Sequence, residues 1–154
     1  MKIRKSTEKD FKGMMKIAKM LHPKWFDKDA INRVIPLDLK IQNGFVAEEK
    51  GKILGFITYF SNEGEVKIGW MGVNPEFQRE GIGTKLIKRL EKELKKIGVK
   101  ELRVDTLAES IKYKPYEPTR AFYKKLDFKV EKITKRKSKE TGEEFDLATL
   151  VKTL

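Results

Sequence analysis

The sequence predicts a mixed α/β fold, a sheet with helices on both faces, and three observations carry that expectation. "GFVAEEKGKILGFITYF", residues 44–60, reads as two strands around Lys50-Gly51, and "SNEG" offers a second turn before "EVKIGWMGV". Ile82, Leu86, Ile87, Leu90, Leu94 and Ile97 recur at helical spacing, with lysines, arginine and glutamates on the other faces. Residues 65–107 therefore spell strand, helix, strand, and so long a crossover implies that its two strands lie parallel or nearly so.

The remaining elements follow in order. "KIRKSTEKDF" opens with a short strand, and Ser6 or Thr7 can cap a helix whose first turn carries Glu8 and Asp10. Phe11, Met14, Met15, Ala18 and Leu21 give that helix its apolar face. Pro23 then breaks the chain, Asp27 offers a second cap, and Pro36 interrupts again, so broken helices are expected there. Gly98 supplies the stop of the long helix, and "VKELRVDTL" follows as a strand. A short helix over Pro118 to Leu126 precedes "FKVEKITKRK" and "EEFDLATLVKT", two alternating runs separated by Thr141-Gly142. "KITKRKSKE" is the densest basic stretch and reads as a charged hairpin edge.

Composition bounds the function. With 154 residues and no repeat, one domain over 1–154 is expected. No run approaches the ~20 apolar residues of a membrane span, and Met1-Lys2-Ile3-Arg4 turns polar too soon for a signal peptide; a soluble, cytoplasmic protein with no membrane partner is the expectation. The absence of cysteine removes disulfides, thiolate nucleophiles and cysteine-based metal sites, and a lone histidine, His22, gives no zinc set, so no metal is expected. Thirty-five Lys and Arg against 23 Asp and Glu give a formal charge of +12, a field that favours anionic partners. The same lysine- and glutamate-rich composition also typifies the solvated surfaces of thermophilic proteins.

"NPEFQREGIGTKL", residues 74–86, places Gly81 and Gly83 between a strand and a helix. A helix start leaves backbone N–H groups without intrahelical partners, and the aligned peptide dipoles attract anions to it. Gly81 and Gly83 carry no side chain to block a phosphate, and either can adopt the positive φ that gathers successive N–H groups. A plain chain reversal is the alternative. The spacing lacks the Lys-Ser/Thr of a P-loop and the third glycine of a dinucleotide fingerprint.

Gln78-Arg79-Glu80-Gly81-Ile82-Gly83 resembles the Gln/Arg-x-x-Gly-x-Gly/Ala signature of the GNAT acyltransferase superfamily, and "PTRAFYKKLDF", Pro118 to Phe128, is similar to that family's late "PTRAFYEKLGF" motif. The resemblance implies a mostly antiparallel sheet whose one parallel pair, about 65–73 and 100–107, splays around the cofactor. It implies acetyl-CoA as acyl donor, its pyrophosphate cradled by the loop amides from Gln78 and Arg79 through Glu80, Gly81, Ile82 and Gly83 to Thr84, with positive charge from Arg79, Lys85 and Arg120. Backbone groups of Met71, Gly72 and Val73 would bond the pantetheine amides and supply the oxyanion donor. Tyr123 falls where family members keep a phenol that can protonate the departing sulfur.

The base is less determined by the resemblance. Lys67 stands where some members carry a glutamate; Glu65, two residues away on the same strand face, is a candidate base, with Asp105 and Glu109 as alternatives. Asp127 replaces the late motif's usual glycine, and Tyr116 replaces an asparagine common in the family. Acceptor recognition would fall to "LHPKWFDKD" and "AESIKYKPYEP", where Trp25, Phe26, Tyr113 and Tyr116 could form an aromatic wall and Asp27 or Glu109 attract an amine. His22 is a further candidate base. The implied activity is N-acetyl transfer to a primary amine of a small molecule, peptide or protein, with a homodimer suggested by family likeness alone. The sequence leaves open a non-catalytic module of this fold holding CoA, another anionic ligand or nucleic acid, although no nucleic-acid motif is present and the basic residues are dispersed.

Overall fold

The computed structural model describes residues 1–154. In chain order the elements are β1 (Lys2–Lys5), α1 (Phe11–Met20), α2 (Ile35–Ile41), β2 (Asn43–Glu49), β3 (Lys52–Asn62), β4 (Glu65–Val73), α3 (Ile82–Lys96), β5 (Glu101–Leu107), α4 (Glu117–Lys125), β6 (Lys129–Lys137) and β7 (Glu144–Thr153). The strands form one sheet in the order β1-β2-β3-β4-β5-β7-β6. Every neighbouring pair is antiparallel except β4 and β5, which run parallel because α3 carries the chain back between them.

Local chemistry sets the turns. Lys50 (φ 50°) with Gly51 (φ 77°), and Glu63 (φ 53°) with Gly64 (φ 82°), are paired left-handed residues whose twist matches the flanking strands. The first helix begins as the sequence predicts: the Asp10 carboxylate accepts from the Thr7 backbone N–H at 2.8 Å, and a short 3-10 turn over Glu8–Asp10 leads into α1. The segment after Pro23 differs from expectation at Pro36. Asp27 Oδ1 accepts from Ala30 N at 2.8 Å, and the chain then passes through a π-helical turn, Ala30–Val34, directly into α2. Pro36 lies in the first turn of α2, directly after the π-helical turn, so the helix is distorted there and not broken.

Two cores lie on opposite faces of the sheet. One packs α3 and α4 through Leu86, Leu90, Leu94 and Tyr123 onto Phe45, Ile57, Ile68 and Val104. The other packs α1 and the segment before β2 through Met14, Ile17, Ala18 and Ile35 onto Val46 and Phe56. Both long helices on the first face end at a left-handed residue. After α3, Gly98 (φ 87°) donates to Lys95 O and Val99 N donates to Leu94 O; after α4, Asp127 (φ 70°) and Phe128 repeat the pattern onto Lys124 O and Tyr123 O. Asp127 thus takes the conformation that glycine supplies more readily.

Candidate active site

The parallel pairing of β4 and β5 is confined to Val66↔Leu102 and Lys67↔Arg103. From Ile68 to Val73 one edge of β4 is unpaired, and the strands part toward their C-terminal ends. A bulge helps to part them. Tyr59 pairs with Ile68 but Ile57 pairs with Met71, so Gly69 and Trp70 together face the single residue Thr58. The Thr58 hydroxyl accepts from Trp70 N at 2.8 Å and donates to Gln42 Oε1 at 2.7 Å, fixing the bulge to the end of α2. A Cβ at position 69 would run into the Gln42 side-chain amide and the Thr58 hydroxyl, so any larger residue there would displace the bond that ties the bulge to α2.

The parted strands open a cleft of about 480 Å³. Its lining draws on both cores, with Ile68, Met71, Val104 and Tyr123 from the α3/α4 face and Leu21, Phe26 and Trp70 from the α1 face. The cleft therefore crosses the sheet at the gap between β4 and β5.

One end lies at the start of α3. Arg79 (φ 68°) and Gly81 (φ 80°) both adopt left-handed φ, and the chain turns there into the helix. The backbone N–H groups of Gly81, Ile82, Gly83 and Thr84 have no acceptor within the protein; the first intrahelical bond at this end is Lys85 N to Gly81 O, 3.0 Å. The two glycines have different reasons. A Cβ on Gly81 would meet nothing within 4 Å, so its requirement is the backbone angle, whereas a Cβ on Gly83 would lie 3.2 Å from Phe122 Cζ, so its requirement is space against α4. Gln78, Arg79, Gly81, Ile82, Gly83 and Thr84 line the cleft, as do Met71, Gly72 and Val73.

Tyr123 is 5% exposed and also lines the cleft, with its ring edge-on to Phe122 and Phe128 at 5.2 and 5.4 Å. Its hydroxyl has no hydrogen-bond partner within the protein. Burial, and after it the Tyr116 phenol, raise Tyr123 well above the ordinary phenol range, so it is protonated at neutral pH. Thr106, two residues along β5 from Val104 and hence on the same face, lines the cleft as well; its Oγ1 is buried without a partner.

The opposite face presents a carboxylate. Asp105 accepts from Lys67 Nζ at 3.0 Å and from Thr149 Oγ1 at 2.6 Å, which pins both oxygens at the cleft wall. Beyond it stand Trp70, whose indole donates to Asp38 Oδ2 at 2.8 Å, and Phe26, edge-on to Trp70 at 5.4 Å. A clasp closes this side: Tyr113 Oη donates to Lys24 O (2.7 Å), Tyr116 Oη to Trp25 O (2.8 Å), and Trp25 Nε1 to Pro115 O (3.1 Å). Burial, with lesser contributions from Tyr113 and Asp27, pushes the Tyr116 phenol up to about 12.

Several residues singled out from sequence lie elsewhere. Glu65 is exposed at the N-terminal end of β4, 3.9 Å from Arg103 and in the network that Arg103 forms with Glu131 and Glu101. At about 3.3 Å per residue it stands roughly 20 Å along the strand from Met71, so the structure does not bring it to the cleft. Asp27 spends its carboxylate on the Ala30 N–H, and Glu109 is exposed in the turn after β5. Neither lines the cleft, whereas Trp25, Phe26 and Tyr116 do. Arg120 turns to the end of β5, donating to Leu107 O at 3.3 Å, and Glu80 and Lys85 are exposed beside the turn without lining the cleft. His22 Nδ1 donates to Phe26 O at 3.0 Å and steadies the loop. Sequence reasoning passed over Trp70 and Thr106. The signal for Trp70 was the pair of glycines around Trp70-Met71 inside a strand, which marks a bulge; for Thr106 it was a hydroxyl at an inward position of an apolar strand.

A family model described as "Acetyltransferase (GNAT) domain" matches residues 40–130. No curated protein matches the chain significantly. Among solved structures, a probable acetyltransferase from Staphylococcus epidermidis ATCC 12228 superposes with a TM-score of 0.80 at 17% identity, over 99% of this chain and 98% of that one. The ribosomal-protein-S18-alanine N-acetyltransferase of Escherichia coli gives 0.73 at 23% identity, over 99% and 92%. An aminoglycoside 6'-N-acetyltransferase complexed with coenzyme A gives 0.74 at 18% identity, over 99% and 97%. At these identities the likeness is one of fold.

Proposed function

Because the chain belongs to the GNAT acetyltransferase family, we propose that it transfers an acetyl group from acetyl-CoA to a primary amine, with both reactants bound together. The observation that carries this reading is the cleft through the sheet, with four unpaired N–H groups at one end and an unpartnered, protonated Tyr123 in its wall. The residues fit the donor. The start of α3 offers N–H groups and a positive dipole end to a pyrophosphate, the open edge of β4 offers backbone partners to the pantetheine amides, and Met71 and Val73 flank that edge. Acetyl-CoA supplies a thioester whose carbonyl carbon accepts the amine nitrogen. An amine that arrives as an ammonium loses one proton to solvent before attack and a second after it, while the departing sulfur gains one. Asp105, held by Lys67 and Thr149 on the far side of the gap, receives the amine's proton directly or through water and replaces Glu65 in that role. Tyr123 holds a proton for the sulfur, and a backbone N–H of β4 is the donor to the developing oxyanion.

Two measurements test the reading. Calorimetric titration should show saturable acetyl-CoA binding that ATP does not reproduce; a chain that binds neither acetyl-CoA nor CoA is not an acetyltransferase. Tyr123→Phe should then lower turnover by roughly 100-fold with acetyl-CoA affinity unchanged. Full turnover in this variant, with chemistry rate-limiting, would remove the acid role.

A further inference from the structure

We propose that the acceptor is a monoamine: a primary amine that is the only cationic group on an apolar body. This rests on the acyltransferase reading above and names its acceptor class. Of the residues lining the cleft, only Arg79 and Asp105 are charged, and Arg79 belongs to the turn before α3. The acceptor side therefore holds one carboxylate, already shared with Lys67 and Thr149. Asp38 and Asp27 stand outside the lining, each with one oxygen engaged, Asp38 Oδ2 by the Trp70 indole and Asp27 Oδ1 by the Ala30 amide.

Much of the lining contributed by the segments before α2 and α4 and by the bulge of β4 is aromatic. Trp25, Phe26, Trp70 and Tyr116 form the wall; Lys24 Nζ, 4.8 Å from the centre of the Trp25 ring, occupies one face of that ring, which leaves the other rings to an incoming cation. Such a wall accepts one ammonium over ring faces and an apolar body beside it. Asp105 is the one carboxylate among the lining residues, so a second or third ammonium finds no acid within the cleft itself. Lys112 and Lys114 stand in the same segment as Tyr113 and Tyr116, and the whole chain carries +12, so within the reach of that field a polycation is opposed more strongly than a single ammonium. Volume points the same way. The cleft of about 480 Å³ must also admit the donor's arm, which leaves room for a slim amine or the first residue of a peptide.

Because the sequence has no cysteine, release of the CoA thiol can be followed with a thiol reagent free of protein background. With acetyl-CoA saturating, phenylethylamine, an alanyl-phenylalanine dipeptide, spermidine and kanamycin are compared by kcat/KM. The expected result is at least tenfold higher kcat/KM for one or both monoamines than for either polyamine. A lead for phenylethylamine assigns a free amine, and a lead for the dipeptide a peptide N-terminus. Asp105→Asn should lower amine kcat/KM by more than tenfold, and Trp70→Ala should raise the KM of the preferred amine, both with acetyl-CoA affinity intact. A protein that binds acetyl-CoA but favours spermidine or kanamycin, or acetylates none of the four, overturns the acceptor class and leaves the donor reading standing. A protein that does not bind acetyl-CoA overturns both.

Discussion

Thr106 and Tyr123 are two hydroxyls on one face of the cleft, neither hydrogen-bonded within the protein, and that of Thr106 is fully buried. A buried hydroxyl without a hydrogen bond costs about 1–3 kcal/mol, so its retention favours a role that folding alone does not supply. Thr106→Val keeps the shape and removes the polar atom. It should stabilise the protein by about 1 kcal/mol in denaturant unfolding while weakening acetyl-CoA binding by roughly fivefold in calorimetry. A gain in stability with unchanged affinity would make Thr106 a bystander. Asp10 is the opposite case, a buried carboxylate whose demands are met in full: Arg4 donates to both its oxygens at 2.8 Å and Thr7 N adds a third bond. The Arg4 hydrogen bonds, first among several causes, hold Asp10 below the usual carboxylate range. A lowered folded pKa stabilises the protein above the unfolded value of about 3.9, and that contribution is lost as pH falls through the folded value. Asp10→Asn should therefore lose about 1–3 kcal/mol at neutral pH and show a shallower loss of stability below about pH 4 than the parent in acid titrations of unfolding.

At the scale of elements, the turn before α3 shows how one motif can carry two separate constraints. Gly81 has open space around it and φ 80°, while Gly83 is helical and pressed against Phe122. Gly81→Ala therefore tests the backbone alone. It should cost about 1–2 kcal/mol of stability through left-handed strain and lower acetyl-CoA affinity by at least tenfold as the N–H groups turn away. Retained affinity in a folded Gly81→Ala protein would exclude the turn from donor binding. The sequence made this element legible because turn chemistry is local: Lys50-Gly51, Gly64, Gly98 and the two glycines here each announce a conformation within a few residues. Arg79 at φ 68° was hidden, since arginine gives no such signal. The placement of Glu65 failed for a related reason. Alternation along β4 gives the face of a side chain but not its height relative to a cleft that begins only where β5 parts from it. Asp105, one of the alternatives to Glu65, reaches the cleft because it lies beyond the last paired residue of β5.

For the whole molecule, strand order was the part that no local pattern could provide. β7 enters the sheet between β5 and β6, so a hairpin readable from Thr141-Gly142 docks by its second strand, a choice made by Ala148 and Leu150 joining the core with Val104. Net charge, by contrast, is fully legible and acts on both reactants with opposite sign. A field from +12 draws an anionic donor toward the α3 turn and opposes a cationic acceptor on the other face. Salt shortens the reach of that field, to about 10 Å at 0.1 M and about 3 Å at 1 M. Raising salt from about 0.05 to about 0.5 M should therefore lower kcat/KM for acetyl-CoA several-fold while lowering the KM of a cationic amine, and the KM of spermidine should fall more than that of phenylethylamine. Steady-state kinetics at fixed concentration of the second substrate separates the two trends. Equal losses for donor and acceptor would mean that salt acts on the fold or on the chemical step. Opposite trends would show that the basic surface captures the donor at the expense of cationic acceptors, which is the condition under which a cleft with one engaged carboxylate selects a monoamine.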